Sequence, residues 1–305
     1  MKKFGKLIII FLFPIVSIGL VIELLERNIP NSYTLKNQVI NEKAENIKTL
    51  ILGSSHSYYG LNPEFFSHST FNFAGVSQTI DIDKNVLKTY LQKLPKLENV
   101  VIRLSYTTLY EQLKHTSEAW RIKDYEIYTD VRLSNQLKYK SEVLTMKLEN
   151  NIEDIYNFYI KKQDLLKTDS LGWGTNLKGE FRGNKQEIGK VIAKKHTIKD
   201  KKYFQENLAF LQEIIKICSD KNINVILVTF PAYKSYVENL EEDQLQQTIY
   251  TGRILQDKYK NCYYYNFLKD KLFKKEDFYD VDHLNHKGAK KLSLKINRII
   301  GQNSK

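Results

Sequence analysis

Short apolar runs recur along most of this chain, separated by polar turns and helical stretches. The runs that predict strands cover residues 47–52, 100–104, 225–230 and 262–267. Between them, apolar residues repeat with helical spacing at 81–94 and 203–219, and again after the last run at 287–300. Strands that alternate with helices predict a parallel sheet covered by helices on both faces. The pattern therefore predicts an α/β fold.

The N-terminus has the pattern of a membrane anchor. Lys2, Lys3 and Lys6 precede an uncharged, mostly apolar run, Leu7–Ile22. At about 1.5 Å per residue, such a helix nearly crosses a hydrocarbon core about 30 Å thick. Because no clear cleavage site follows, we predict an uncleaved signal-anchor, with a cleaved secretion signal as the alternative. The positive-inside rule then predicts a single-pass protein of the cell membrane, with its C-terminal domain outside the cytoplasm.

Composition shifts along the chain predict its domains. We predict a cytoplasmic stub and membrane helix at 1–25, a polar stalk at 26–46 and one domain at 47–305. Within that domain the strand rhythm breaks at about 111–200, which predicts a mainly helical insertion. Such an insertion could act as a lid or substrate-recruiting segment over the active-site edge, or as a structural cap.

The overall charge bears on possible partners. The chain is 42% hydrophobic and 27% charged, as expected for a globular protein, and its net charge is +12. This charge favours anionic surroundings, but the lysines are scattered and no zinc-finger spacing occurs, so we predict no nucleic-acid partner. Cys218 and Cys262 are interpreted as buried thiols rather than a disulfide.

Two short motifs carry candidate chemistry. Gly53-Ser54-Ser55 follows the first predicted strand, where nucleophiles of open α/β sheets lie. Asp280 and His283 stand three residues apart before the last predicted helix, a spacing that lets a carboxylate meet an imidazole. A serine with a histidine base and an orienting acid is the set used for acyl transfer. We therefore predict Ser55, Asp280 and His283 as catalytic residues.

Other interpretations of these motifs stay open. Asp280, Asp282, His283 and His286 could ligate a metal, although no distant cluster completes the shell, and we predict no metal and no cofactor. Asp282 is interpreted as solvated or as a helix cap, and His56 as a residue that supports the catalytic side chains from behind or as a packing residue. Ser57 is a weaker alternative nucleophile.

Together these motifs resemble the SGNH (GDSL-type) hydrolase superfamily. The resemblance covers roughly residues 47–110 and 200–300 and implies a flavodoxin-like three-layer sandwich with a central parallel sheet. Ser55 aligns with the family nucleophile, and Asp280 and His283 align with its Asp-x-x-His block. The block Phe71-Asn72-Phe73-Ala74-Gly75 resembles the one whose glycine N–H binds the oxyanion, which implies that role for Gly75. The family's Gly-x-Asn-Asp block is absent, so Ser105 or Thr107 is the expected substitute for its asparagine.

The anchored topology and the Gly-Ser-Ser variant are similar to a membrane-anchored, acyltransferase-like branch of that superfamily. This branch includes the D-alanyl transfer protein of teichoic acid synthesis and polysaccharide O-acetyltransferases. The resemblance implies transfer of an acyl group to a polysaccharide or teichoic-acid-like substrate, in possible partnership with a membrane-bound O-acyltransferase. The alternatives are a carbohydrate esterase or deacetylase of the same fold, and a non-catalytic scaffold for such a membrane enzyme.

Overall fold

The structure is a computed structural model that describes residues 2–179 and 184–303. Residues 180–183 of the predicted insertion lie outside the described residues. The chain divides into two compact units. The first combines Met1–Asn37 with Ala119–Lys167, and the second combines Gln38–Glu118 with Thr168–Lys305.

The second unit contains a five-stranded parallel sheet in the order β2-β1-β3-β4-β5. This finding confirms the predicted α/β fold with its central parallel sheet. β1 lies between the two strands that follow it in the chain, which is the switch point where ligands bind in such sheets. The strands are β1 (Thr49–Leu52), β2 (Thr70–Asn72), β3 (Asn99–Arg103), β4 (Asn224–Thr229) and β5 (Cys262–Asn266).

Helices account for most of the remaining described structure. They are α1 (Lys2–Arg27), α2 (Ser32–Lys43), α3 (Ser55–Gly60), α4 (Ile80–Tyr90), α5 (Ile122–Tyr128), α6 (Glu142–Thr145), α7 (Leu148–Ile155), α8 (Lys185–His196), α9 (Phe204–Ser219), α10 (Lys234–Val237), α11 (Glu242–Lys258) and α12 (His286–Asn303). A π-helical turn, Tyr156–Ile160, continues α7.

The core of the second unit forms on both faces of the sheet. Ile51, Val101 and Ile226 lie side by side in register, so their side chains share one face. They belong to a buried cluster that includes Leu292 and Ile296 of α12. The residues that alternate with them along β1, β3 and β4 point to the opposite face and are fully buried too. α9, which contributes no residue to that cluster, contacts β4. Burial on both faces explains why the strands are continuous apolar runs rather than alternating ones.

The first unit contains the predicted anchor. Its segment Lys3–Arg27 is long and apolar enough to cross a membrane, and its apolar side chains are exposed. Nearby in the same unit, the buried Lys123 ammonium contacts Asp124 and Glu142 carboxylates, each at 2.8 Å. Which side of a membrane the rest of the chain occupies stays a prediction.

Two segments differ from the sequence-based expectation. In the predicted stalk, Asn31 Oδ1 accepts the N–H groups of Tyr33 and Thr34 at the start of α2, and Ile40 of that helix is fully buried. α11 lies outside the predicted helices, because four of its seven buried residues are threonine, glutamine or glycine, which weakens the apolar pattern. The predicted domain boundaries and the role of the insertion stay predictions.

Candidate active site

The turn that carries Ser55 is built from small residues. Gly53 has a φ of 113°, and a Cβ atom there would lie 2.7 Å from Ser57 Oγ and 3.1 Å from Arg103 Cβ. Only glycine therefore fits this turn at the end of β1. Ser54 caps α3, and Ser55 is the first residue of that helix.

Ser55, His283 and Asp280 meet at this edge of the sheet. Ser55 Oγ lies 2.8 Å from His283 Nε2. The other ring nitrogen, His283 Nδ1, lies 3.0 Å from Asp280 Oδ2 and 3.2 Å from Asp280 Oδ1. Asp280 Oδ1 also accepts the backbone N–H of His283 at 2.6 Å, which fixes the turn between the two residues. This arrangement can move a proton from the serine hydroxyl to an oriented imidazole.

Asp282 supplies a second carboxylate, and its interpretation as a solvated residue or helix cap is wrong. Asp282 is buried, with Oδ1 3.4 Å from His283 Nδ1 and Oδ2 3.4 Å from His56 Nε2. The helix cap is Asn285, whose side chain accepts the N–H groups of Lys287 and Gly288. The carboxylate of Asp282 thus bridges two imidazoles, whose rings stack 4.5 Å apart.

Hydrogen bonds around His56 define its tautomer. Ser54 Oγ accepts from the Arg103 guanidinium and from the backbone N–H of His56, so its own hydrogen is available for His56 Nδ1 at 3.3 Å. His56 then carries its hydrogen on Nε2 and donates it toward Asp282. A chain of polar contacts therefore runs from Arg103 through Ser54, His56 and Asp282 to His283.

Burial and nearby charges give His56 and His283 very different pKa values. Burial, together with the nearby charges of Arg103 and His283, lowers the pKa of His56 to about 3. Burial also lowers the pKa of His283, but the carboxylates of Asp282 and Asp280 outweigh it and raise that pKa to about 10. Burial raises the pKa of Asp282, but His283 and His56 outweigh it and hold the pKa well below its usual range. The resting site therefore pairs an imidazolium at His283 with a neutral His56.

Arg103 was missed by the sequence analysis. Its buried guanidinium, at the end of β3, donates to the hydroxyls of Ser54, Ser105 and Thr107. All four residues line a cavity of about 430 Å³ that also contains Ser55 and His283. The signal that could have found it is an arginine that ends an apolar strand next to the predicted nucleophile. Ser105 and Thr107 line this cavity, and each accepts a hydrogen bond from Arg103. Their role in place of the family's asparagine stays a prediction.

Gly75 does not present a free N–H group, contrary to expectation. Its N–H donates to the carbonyl oxygen of Gly53 at 3.1 Å, because β2 continues alongside the end of β1. Within residues 2–179 and 184–303, the N–H groups of Ser55, Val76 and Ser77 have no hydrogen-bond acceptor, and all three residues line the cavity. Ser77 has a φ of 58°, which turns the backbone at this point. These amides are better candidates for binding an oxyanion.

The glycine-rich piece of the predicted insertion holds α3 in place. Trp173 Nε1 donates to the carbonyl oxygen of Tyr59 at 2.7 Å, and the Gly174 N–H donates to that of Tyr58 at 3.0 Å. Tyr58 is buried and pairs with Thr168 at 2.5 Å. Trp173 therefore packs against the helix that begins with Ser55.

The alternative roles find less support in this geometry. Ser57 is fully buried, and its Oγ lacks a hydrogen-bond partner in the described part of the chain. His286 is exposed at the start of α12. One group with metal-ligand spacing occurs among the described residues, His56, Asp282 and His283, with ligand atoms within 4.8 Å of one another. A metal there would replace the hydrogen bonds described above.

Comparison with known proteins finds solved structures of low sequence identity. No curated protein matches the sequence. A Bacteroides fragilis protein provisionally assigned as an acylhydrolase has a similar structure, at 10% identity and a TM-score of 0.43, over 88% of this chain and 95% of that one. A Streptococcus pneumonia protein provisionally assigned as a platelet activating factor matches at 13% identity and a TM-score of 0.41, over 94% and 97%. At these scores neither structure identifies a function for this chain.

A protein-family model without a functional description matches residues 96–305. The match includes Asp280 and His283 and begins after Ser55. Because it spans 210 of the 305 residues (96 to 305), the chain belongs to that protein family.

Proposed function

We propose that this protein is an extracytoplasmic, serine-dependent acyltransferase. It transfers a small acyl group, most simply acetyl, to a hydroxyl of a cell-envelope or exported polysaccharide, including teichoic-acid-like polymers. The observation that carries the proposal is the 2.8 Å contact between Ser55 Oγ and His283 Nε2, with carboxylates on the opposite ring nitrogen. A serine held by an oriented imidazole at a strand end is what acyl transfer requires.

The first half of the reaction acylates the enzyme. The His283 imidazolium first loses a proton to solvent, which gives the neutral base. His283 then accepts the hydroxyl proton of Ser55 while Ser55 Oγ bonds to the acyl carbonyl carbon. The negative charge that develops on the carbonyl oxygen is stabilised by the N–H groups of Ser55 and of Val76 or Ser77. One such donor contributes about 3 kcal/mol in other enzymes. The donor's alcohol or thiol then leaves with the proton from His283.

The second half releases the acyl group. An acceptor hydroxyl gives its proton to His283 and attacks the acyl carbon, and Ser55 recovers the proton as its bond to that carbon breaks. A sugar hydroxyl as acceptor gives transfer, and water gives hydrolysis. The apolar α1 supports action beside a membrane, where a membrane-bound O-acyltransferase could supply the acyl group.

The test uses the full chain in detergent micelles with a serine-reactive fluorophosphonate and an intact-mass readout. We expect one adduct, lost in Ser55→Ala and strongly reduced in His283→Ala. Ser117→Ala is the matched control, because Ser117 lines the same cavity without a contact to His283 among the described residues. Its labelling should equal that of the wild type.

A second measurement separates the possible reactions. Incubation with an acetyl ester and a glycan acceptor should give acetylated glycan in excess over free acetate. Free acetate alone would favour an esterase or deacetylase. Absence of labelling in the folded wild-type protein would refute the activated serine and favour a scaffold.

A further inference from the structure

The first unit exposes an unusual row of apolar side chains on α7 and its π-helical continuation. Leu148, Ile152, Tyr156 and Ile160 recur every four residues, and each is 49–66% exposed. In an α-helix this spacing drifts around the axis by about 40° per step, since each residue advances about 100°. In the wider π-helical turn at Tyr156–Ile160 each residue advances by a smaller angle, so the last step drifts in the opposite direction. The four side chains therefore stay on one side of the helix. We call these four residues the apolar row.

This helix is attached to the end of the apolar anchor. Tyr159 OH donates to the carbonyl oxygen of Leu25 at 3.0 Å, and Asn151 lines the same small cavity as Glu26. The hydrogen bond and the shared cavity therefore place α7 and its continuation at the last residues of α1. A helix that ran along α1 would instead meet residues spaced along it. The geometry thus indicates that α7 crosses the end of α1.

Further contacts fix the level of this crossing. Glu23 Oε2 accepts from Ser141 Oγ at 2.7 Å and from the Val143 N–H at 3.1 Å, just before α7. Glu23 directly follows the uncharged run 7–22 of α1. A helix that crosses a membrane anchor where its apolar run ends lies at the boundary between headgroups and acyl chains.

The flanking residues suit that environment. Lys147 precedes the apolar row, and Lys161 and Lys162 follow it, all exposed. Long lysine side chains place their stems along apolar surface and their charges among headgroups. A helix with one apolar side and flanking lysines is typical of segments that lie in a membrane interface.

We propose that the apolar row inserts into the surface of the same bilayer that α1 spans. The occupant of this surface is lipid, because the row is continuous with the anchor and held at its end. The first unit would then be attached to the membrane by a spanning helix and by a second helix that lies in the interface. This proposal does not depend on the chemistry of the second unit.

The test is the depth of single positions on this helix. The full chain is reconstituted in phosphatidylcholine nanodiscs with Ile152→Cys or Ile160→Cys, each labelled with a small fluorophore. Asn150→Cys and Glu153→Cys are matched controls, because both are exposed on the polar side of the same helix. Native Cys218 and Cys262 are buried and should not react. Equal thermal midpoints of the four variants would show that folding is intact.

We expect nitroxide-bearing lipids to quench positions 152 and 160 several-fold more than 150 and 153, and aqueous iodide to show the reverse order. Strong iodide quenching at all four positions would overturn the proposal, since the row would then face water. Protection of 152 and 160 from both quenchers would also overturn it, because a protein would cover the row. Equal lipid quenching at all four positions would mean that the fluorophore itself enters the bilayer, and would likewise contradict the proposal.

Discussion

Replacement of Asp282 by asparagine tests how the site controls its base. The substitution keeps the shape of the side chain and removes the buried carboxylate 3.4 Å from His283 Nδ1. Asp280 stays in place, so the imidazole keeps its closer partner at 3.0 Å. The change therefore alters the charge around His283 more than its orientation.

The size of the effect follows from the pKa of His283. A pKa of about 10 against the ordinary 6.5 corresponds to roughly 5 kcal/mol in favour of the imidazolium. At pH 7 only about one molecule in a thousand would carry the neutral base. Asp282 is the largest of the causes that raise this pKa. Each unit by which its removal lowers the pKa should raise the neutral fraction at pH 7 about tenfold.

The assay is the rate of fluorophosphonate labelling of Ser55 as a function of pH. For the wild type we expect a rate that rises with pH and has its midpoint near pH 10. For Asp282→Asn the midpoint should fall between 6.5 and 10, with faster labelling at pH 7, because a base works best when its pKa is near the working pH. Asp280→Ala should instead lower the plateau rate reached at high pH, since it removes the closest acceptor of the Nδ1 hydrogen.

Two results would refute this reasoning. One is a wild-type midpoint near 6.5, which would mean that the two carboxylates do not control His283. The other is an unchanged midpoint in Asp282→Asn, which would assign the raised pKa to Asp280 alone. Ser55→Ala at each pH corrects for reaction of the probe elsewhere.

Three further predictions concern stability, each measured as the free energy of unfolding in detergent. Gly172→Ala should cost about 1–3 kcal/mol or more, because φ is 86° and the new Cβ would lie 2.0 Å from the Asn72 carbonyl oxygen. Gly179→Ala should cost less, because φ is 95° there but no atom lies near the new Cβ. Equal losses in the two variants would contradict the clash. Lys123→Met should cost about 3–5 kcal/mol by leaving buried carboxylates unpaired, whereas Lys48→Met at an exposed pair should cost under about 1 kcal/mol. The pKa of His56 is about 3 in the folded protein and 6.5 in an unfolded chain, so the unfolded state binds a proton here as the pH falls. The free energy of unfolding should therefore drop by about 2 kcal/mol between pH 6.5 and 5. The variant His56→Gln should lack this part of the loss.

The sequence was sufficient for four of the five strands, and for the placement of Ser55, Asp280 and His283 near one another, because each carries a local signal. Strands buried on both faces are continuous apolar runs, and Ser55 follows one of them directly. Asp280 and His283 lie in a single turn, so their meeting needs no knowledge of the rest of the fold.

The features that escaped prediction depend on contacts between distant segments. Asp282 meets His56 across 226 positions, and nothing within either segment distinguishes it from a solvated acid. The N–H of Gly75 is occupied by Gly53, a consequence of strand register that a motif does not reveal. α11 packs a glycine, Gly252, against the ring of Tyr264, so its inner face has a gap in its apolar pattern that only this distant contact explains.

The separation of Ser55 and His283 in the chain has a consequence for how the protein is made. The two residues stand 228 positions apart. β4, which pairs with β3, is synthesised about 125 residues after it. At about 5–20 residues per second, a ribosome needs roughly 10–50 seconds to travel from one to the other. During that time the newly made serine has no histidine to remove its proton. A chain that is cut short or still emerging therefore holds an inert serine, and any reactivity begins only when translation is nearly finished and the last helix has docked.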